Sequence, residues 1–283
     1  MALGLGSFNA VELFSRQALG RNEQLVGRAL ERLATGKKLN RASDDPAGVI
    51  ALERLLSDQA QANAEIDRIQ RDDARMAATE GGLSVVGDLM IELESLTVQA
   101  ANGGGLGEGD RAALQVEADS IVQAINTLAS TTTYNGEQIL SGYAAGSLGR
   151  TTIYEEVVDE NGNTTQKKVT LTIADFASGG RLNLVDGDLE QAQTVAKAAG
   201  KGVATTRGAI GSQMRSNEAR IGSLVSQREG LASAISGIRD ADFAAEASRL
   251  TRGQLLANTS IRAILFGRDE QSRVLGLLGA SGI

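Results

Sequence analysis

The chain has no cysteine, no histidine and no tryptophan among its 283 residues, only one proline, and 3% aromatic residues. Without cysteine there is no disulfide, thiolate nucleophile or thiolate metal ligand. Without histidine the commonest general base and imidazole ligand are missing too. Carboxylates, lysine, tyrosine and hydroxyls are all that remain for chemistry, which argues against an enzyme and against a bound cofactor or metal. The scarcity of rings means that the interior must be built from Leu, Ile, Val and Ala, as in seams between long helices. No stretch is long and apolar enough to cross a bilayer, so no membrane segment is expected. The start, Met1 to Asn9, carries neither a basic leader nor an apolar run, so no cleaved signal is expected either.

Charge is uneven. The net charge is -7, yet residues 1–42 hold seven Lys/Arg against three acids and residues 243–283 hold five Arg against three acids. Basic ends invite a nucleic-acid reading, but acids and apolar residues are interleaved there and no series of aromatics exists for bases to stack on, so no nucleic-acid partner is expected.

What the chain does have is a seven-residue apolar repeat. Leu189, Ala196, Val203, Ile210, Leu224, Leu231 and Ile238 form one series, interrupted at Asn217, and Met214, Ile221 and Ile235 belong to a second, interrupted at Arg228. Such a repeat makes a seam that winds left-handed against another helix, so partners of comparable length are required. Ile69, Met76, Leu83 and Met90 supply one between residues 47 and 100, with Asp72 and Thr79 as polar members. Leu114, Ala118, Ile121, Ile125 and Leu128 supply a third rod after Asp110, which is expected to cap it. Gly81, Gly82 and Gly87 weaken the second rod and predict a bend. The Gly-rich run from Asn102 to Asp110 reads as a turn; it follows a helix, lacks Lys-Ser/Thr and does not match a phosphate-binding loop.

Both ends of the chain are amphipathic. Val11, Phe14, Leu25 and Leu33 fit helical spacing in the first, and Leu250, Leu255, Leu256, Ile261, Ile264, Leu265, Leu275 and Leu278 give the last an apolar surface. Gly36 is placed to end the first helix. Ser43, Asp44 or Asp45 can cap the next, whose first position suits Pro46. Two helices alone cannot bury such faces, so the ends are expected to be disordered in isolation and ordered by neighbouring copies. In mid-chain, Thr151 to Val158 and Thr165 to Ile173 read as strands around a turn at Asp159 to Asn163. The expected fold is therefore mainly α, a long antiparallel helical bundle of coiled-coil type formed by the amino- and carboxyl-terminal regions, with a small β-hairpin.

The run Ala29-Leu-Glu-Arg-Leu-Ala-Thr-Gly-Lys-Lys-Leu-Asn-Arg-Ala-Ser-Asp-Asp-Pro-Ala-Gly48 resembles the amino-terminal signature of bacterial flagellins. Flagellin-like segments follow at Thr79-Glu-Gly-Gly-Leu83, Leu96-Thr-Val-Gln-Ala-Ala-Asn102, Tyr134-Asn-Gly136 and Arg239-Asp-Ala-Asp-Phe243. The resemblance implies a structural subunit that polymerises helically into the extracellular flagellar filament for swimming, exported unfolded by the type III route. It implies an inner-tube domain from residues 1–42 and 243–283, a helical rod domain from 43–150 and 177–242, and a small exposed hairpin at 151–176, without large outer domains. Implied partners are further copies of the chain, the export chaperone, the filament cap and the hook-junction proteins. Pro46 stands where flagellins usually carry Ala, as in hook-filament junction proteins, which makes a junction protein the alternative.

By the same resemblance, Leu96 and Glu117 align with positions that contact Toll-like receptor 5, whereas Glu92 stands where recognised flagellins carry Arg, so recognition is expected to be weakened. Thr152, Thr164 and Thr165 are candidate glycosylation sites, which an intact mass equal to the bare sequence would eliminate.

Overall fold

The computed structural model describes residues 3–102, 105, 107–158 and 164–280, with the side chains of residues 3–11, 157–158, 274–275 and 277–280 outside the description. In chain order the elements are α1 (Leu3–Thr35), α2 (Pro46–Ala101), α3 (Glu108–Thr131), the two-residue strands β1 (Thr133–Tyr134) and β2 (Glu137–Gln138), the hairpin β3 (Thr151–Val158) and β4 (Thr164–Leu171), α4 (Leu189–Arg239) and α5 (Phe243–Ala280). Short 3-10 turns lie at Ser141–Tyr143 and Ile173–Phe176. The chain forms two compact units, one of residues 1–63 with 225–283 and one of residues 64–224.

In the unit of 64–224, apolar faces of α2, α3 and α4 meet in one core. Leu83, Met90 and Leu93 from α2, Ile121 and Ile125 from α3, and Val195, Ala196 and Val203 from α4 are all buried there. Stepping by three and four along each helix places these side chains on one stripe. α2 runs as one uninterrupted helix through Gly81, Gly82 and Gly87, where a bend is expected. Gly82 has a packing reason: a Cβ there would lie 2.4 Å from Leu140 Cδ1, and Leu140 is fully buried. The glycine is a notch that lets the segment after β2 close onto the helix.

The connection between α3 and α4 is part of this core. Leu171, Ile173, Phe176, Leu182 and Leu184 are buried in it, so the hairpin is anchored at its base, and β4 ends at Leu171 with Ile173 already in the following 3-10 turn. β3 and β4 pair antiparallel with Thr151 opposite Leu171 and Val158 opposite Thr164; the expected turn at 159–163 lies outside the described residues. Gln115 of α3, buried inside the bundle, fastens the connection by donating to the Phe176 carbonyl at 2.7 Å and accepting from the Leu184 N–H at 2.6 Å. Asp110 differs from its expected role. The N-cap of α3 is Gly107, and Asp110, three residues on, reaches back to accept the Gly107 N–H at 3.0 Å.

In the unit of 1–63 with 225–283, α1 packs against α5. α1 ends at Gly36, whose φ of +67° is a left-handed conformation that glycine adopts without a Cβ penalty. Lys38 N–H donates to the Arg239 carbonyl at 2.6 Å and Ala241 N–H to the Gly36 carbonyl at 2.9 Å, so the links α1–α2 and α4–α5 are tied by backbone hydrogen bonds.

Candidate functional site

The signature run around residues 36–48 is resolved as a capped joint. Asp45 Oδ1 accepts the Gly48 N–H at 3.0 Å and so caps α2, which begins at Pro46 as expected. Asp44 Oδ2 accepts the N–H groups of Asn40 and Arg41 at 3.1 and 3.0 Å, closing the preceding turn. The backbone donors at Arg41 and Asn40 hold the Asp44 carboxyl below its ordinary range. Across the joint, Asp240 is held low by its hydrogen bonds from Arg239 and Ser236. Asp44 and Asp45 thus serve backbone geometry and Asp240 holds neighbouring side chains, and among the described residues no group of acids is arranged to hold a metal ion.

Beyond the joint, the terminal helices run antiparallel. Glu12 faces Arg268 at 3.6 Å, Asn22 Nδ2 donates to Ser260 Oγ at 3.4 Å, and Arg32 pairs with Glu246 at 3.2 Å. Glu246 is nearly fully buried and takes a second arginine, Arg249, at 2.5 Å. The face that the helices share mixes small and aliphatic side chains: Ala29 and Gly253 are buried, and Asn22, Val26, Leu33, Leu250, Ala257 and Ile264 are half-buried. A Cβ on Gly253 would sit 2.9 Å from Val26 Cγ2, so the two helices touch where glycine permits it.

Most of the large apolar residues point elsewhere. Phe14 is 68% exposed, Leu25 47%, Leu255 63%, Leu256 46%, Ile261 43%, Leu265 55% and Phe266 68%. With about 100° of turn per residue, Phe14, Leu25 and Leu256 fall on one flank of the pair and Ile261 and Leu265 on the other. Leu255 and Phe266 lie on the back of α5. Phe14, Leu25 and Leu256 line a surface groove of about 580 Å³ with Ala18, Ala263 and the polar Asn22 and Ser260. Within one chain α1 and α5 are helical and packed on each other. Ala29 and Gly253, the half-buried Val26, Leu33, Leu250 and Ile264, and the Arg32–Glu246–Arg249 cluster line that pairing. What the pairing leaves unmet is burial of the large side chains.

Of the residues expected at terminal packing, Leu33, Leu250 and Ile264 thus face the shared interface, Phe14, Leu25, Leu255, Leu256, Ile261 and Leu265 face outward, and the side chains of Val11, Leu275 and Leu278 lie outside the description. Of the expected rod seam, Ile69, Leu83, Met90, Ile121 and Ile235 are buried. Met76, Leu114, Leu128, Ile210, Met214, Ile221, Leu224, Leu231 and Ile238 are half-buried. The Leu96, Glu92 and Glu117 grouping is corrected. Glu92 and Glu117 are exposed, but Leu96 is 3% exposed within the core and offers no side chain to a partner. Thr152, Thr164 and Thr165 are exposed on the hairpin.

Sequence reasoning missed Gln115 and its neighbour Asp119, which accepts from Ser178 N–H at 2.7 Å, Ser178 Oγ at 2.6 Å and Gln115 Nε2 at 2.8 Å. A polar residue on the apolar stripe of α3 was the one available signal. It also missed Leu182 and Leu184, which lie in no periodic stretch.

Long paired helices with many bulky apolar side chains left on both flanks point to a structural protein that packs against other chains. Comparison with known proteins gives the family. The bacterial flagellin N-terminal helical region matches residues 7–145 and the bacterial flagellin C-terminal helical region matches residues 193–278. The chain belongs to the bacterial flagellins, the structural proteins of the flagellar filament.

It is 27% identical to the flagellar filament 30.7 kDa core protein of Treponema maltophilum, over 95% of this chain and 98% of that one. It is 28% identical to flagellin FlaB1 of Treponema pallidum, over 91% and 97%, and 25% identical to the flagellin of Listeria monocytogenes, over 89% and 92%. The crystal structure of Bacillus cereus flagellin aligns with a TM-score of 0.40 at 21% identity, covering 60% of this chain and 94% of that one. The relatives carry filament-protein names, and the junction-protein alternative has no support among them.

Proposed function

We propose that the chain polymerises through its terminal helix pair, and that burial of side chains now exposed on that pair is the main attraction between copies. One observation carries this reading: large apolar residues remain on both flanks and on the back of the pair. A single partner on one face, as in a closed dimer, would leave the others wet. Contacts on more than one side between unlike surfaces give an open helical assembly. Burying one such side chain contributes on the order of 1.5–3 kcal/mol, so a few per subunit outweigh a substantial entropy of association.

In this reading residues 1–42 and 243–283 form the inner layer, residues 43–150 and 177–242 the surrounding rods, and the hairpin 151–176 the outermost part. The filament is extracellular, reached by type III export, and its partners are further copies, an export chaperone, the cap and hook-junction proteins. Recognition by Toll-like receptor 5 is weak, because Glu92 presents the wrong charge and Leu96 is withdrawn into the core. Glu92→Arg should raise the signal in a receptor reporter assay; an unchanged signal would discard the charge argument.

Assembly is tested by Phe14→Ser and Leu265→Ser, one on each flank. Each should keep the monomer's stability within about 0.5 kcal/mol, as expected at an exposed position, yet each should lose seeded polymerisation followed by sedimentation and electron microscopy. Filaments growing at the parent rate from both variants would refute the proposal.

A further inference from the structure

The pairing of α2 with α4 inside the unit of 64–224 is marked by three polar pairs with the acid always on α2. Glu65 meets Arg220 at 2.8 Å, Asp73 meets Asn217 at 2.6 Å and Glu80 meets Arg207 at 2.8 Å. The outer two involve partly exposed side chains, and exposed pairs contribute little. The middle one differs. Asn217 is 8% exposed, stands in the seven-residue apolar series of α4, and is held by Asp73 across the seam and Gln213 along its own helix.

Around it the seam is aliphatic, with Ile69 buried and Met76, Met214, Ile221 and Leu224 half-buried. The core shared with α3 begins only at Leu83 on α2 and reaches Val203 on α4, with Ile210 packed at its margin. Below that margin an apolar seven-residue repeat looks nearly the same after a displacement of one repeat, roughly 10 Å along the axis. The pair removes that degeneracy. After a shift of seven residues Asp73 would face Ile210 or Leu224, leaving a carboxylate against aliphatic carbon with no donor.

We propose that Asp73–Asn217 is a register lock: it selects one alignment of α2 on α4 when two segments 144 positions apart in sequence first zip together, at a cost in stability compared with an all-aliphatic seam. The lock acts in folding of the single chain and is independent of polymerisation. A single buried asparagine at such a position is the best-attested use of a polar group in a helical seam.

The absence of native cysteine makes a direct test possible. Glu65→Cys with Arg220→Cys reports the native alignment through a short bismaleimide, and Asp72→Cys with Arg220→Cys reports a chain displaced by one repeat. After refolding from denaturant, the parent should give the first product in large excess. Adding Asp73→Leu with Asn217→Leu should raise the melting temperature and lower the ratio of native to displaced product roughly tenfold, equivalent to ~1.4 kcal/mol of alignment preference. Asp73→Asn, which keeps an amide–amide hydrogen bond, should restore the parent ratio. An unchanged ratio in the double leucine variant, or a scrambled one in Asp73→Asn, overturns the proposal.

Discussion

At the scale of single residues, the side chains that matter most inside the 64–224 unit are polar. Gln115 satisfies a buried carbonyl and a buried N–H of the connection between hairpin and α4, and leaving such groups unpaired would cost about 1–3 kcal/mol each. Asp119 extends the same network outward to Ser178. Burial disfavours its charge, but the hydrogen bonds from Ser178 Oγ, Gln115 and Ser178 N–H outweigh that and set its pKa below the ordinary value. The folded pKa is depressed relative to an unfolded value of ~3.9, so the stabilisation is complete above ~pH 4 and disappears as pH falls through the folded pKa. The protection factor of the Ser178 amide should therefore fall over that acidic range and stay high at neutrality. In Asp119→Asn the acid-dependent step should vanish; a step of the same size in that variant would mean that another group controls the connection. Neither Gln115 nor Asp119 announces this role in the sequence, because the hydrogen-bond partners lie about 60 residues away in an aperiodic segment.

Among elements, legibility follows periodicity. The range of α4, the start of α2 at Pro46, the end of α1 before Gly36 and the strands around the hairpin all follow from repeat and cap chemistry, which are local. The failures are where a distant neighbour decides. Gly81 and Gly82 are indistinguishable as neighbours in a helix, yet a Cβ on Gly81 meets nothing within 4 Å whereas one on Gly82 collides with buried Leu140. Gly81→Ala should thus stabilise the protein by up to ~1 kcal/mol, the difference in helix propensity. Gly82→Ala should gain nothing or destabilise, because the new Cβ would have to displace the fully buried Leu140 side chain. Denaturant melts of the two single variants decide this; equal stabilisation of both would show that Leu140 yields easily. The same blindness applied to α1 and α5, where the apolar pattern identified surface-forming helices but could not tell the inward Leu33, Leu250 and Ile264 from the outward Phe14, Leu25, Leu255 and Leu265.

For the whole molecule, the division between what one chain satisfies and what it leaves bare determines how assembly should register in experiment. α1 and α5 meet through Asn22–Ser260, Arg32–Glu246 and a close contact at Gly253. That pairing leaves Phe14, Leu25, Leu255, Ile261, Leu265 and Phe266 exposed, and covering them is the part proposed for neighbouring copies. A helix pair with a thin shared face opens locally at low free energy, and trypsin finds Arg21, Arg28, Arg252 and Arg262 along it, all exposed. In the free subunit cleavage should begin at these arginines and proceed inward, while the 64–224 unit, with its continuous core, survives as a resistant fragment. In the filament, flanking copies raise the free energy of opening by the burial they add, and each ~1.4 kcal/mol slows cleavage tenfold when opening is a rapid pre-equilibrium. Burial of two large side chains per subunit, at roughly 1.5–3 kcal/mol each, then predicts protection of about a hundredfold or more in matched digests followed by intact mass. Equal cleavage rates in subunit and filament would mean that the exposed flanks are not what the neighbours cover, and the assembly surface would have to be sought on the rods.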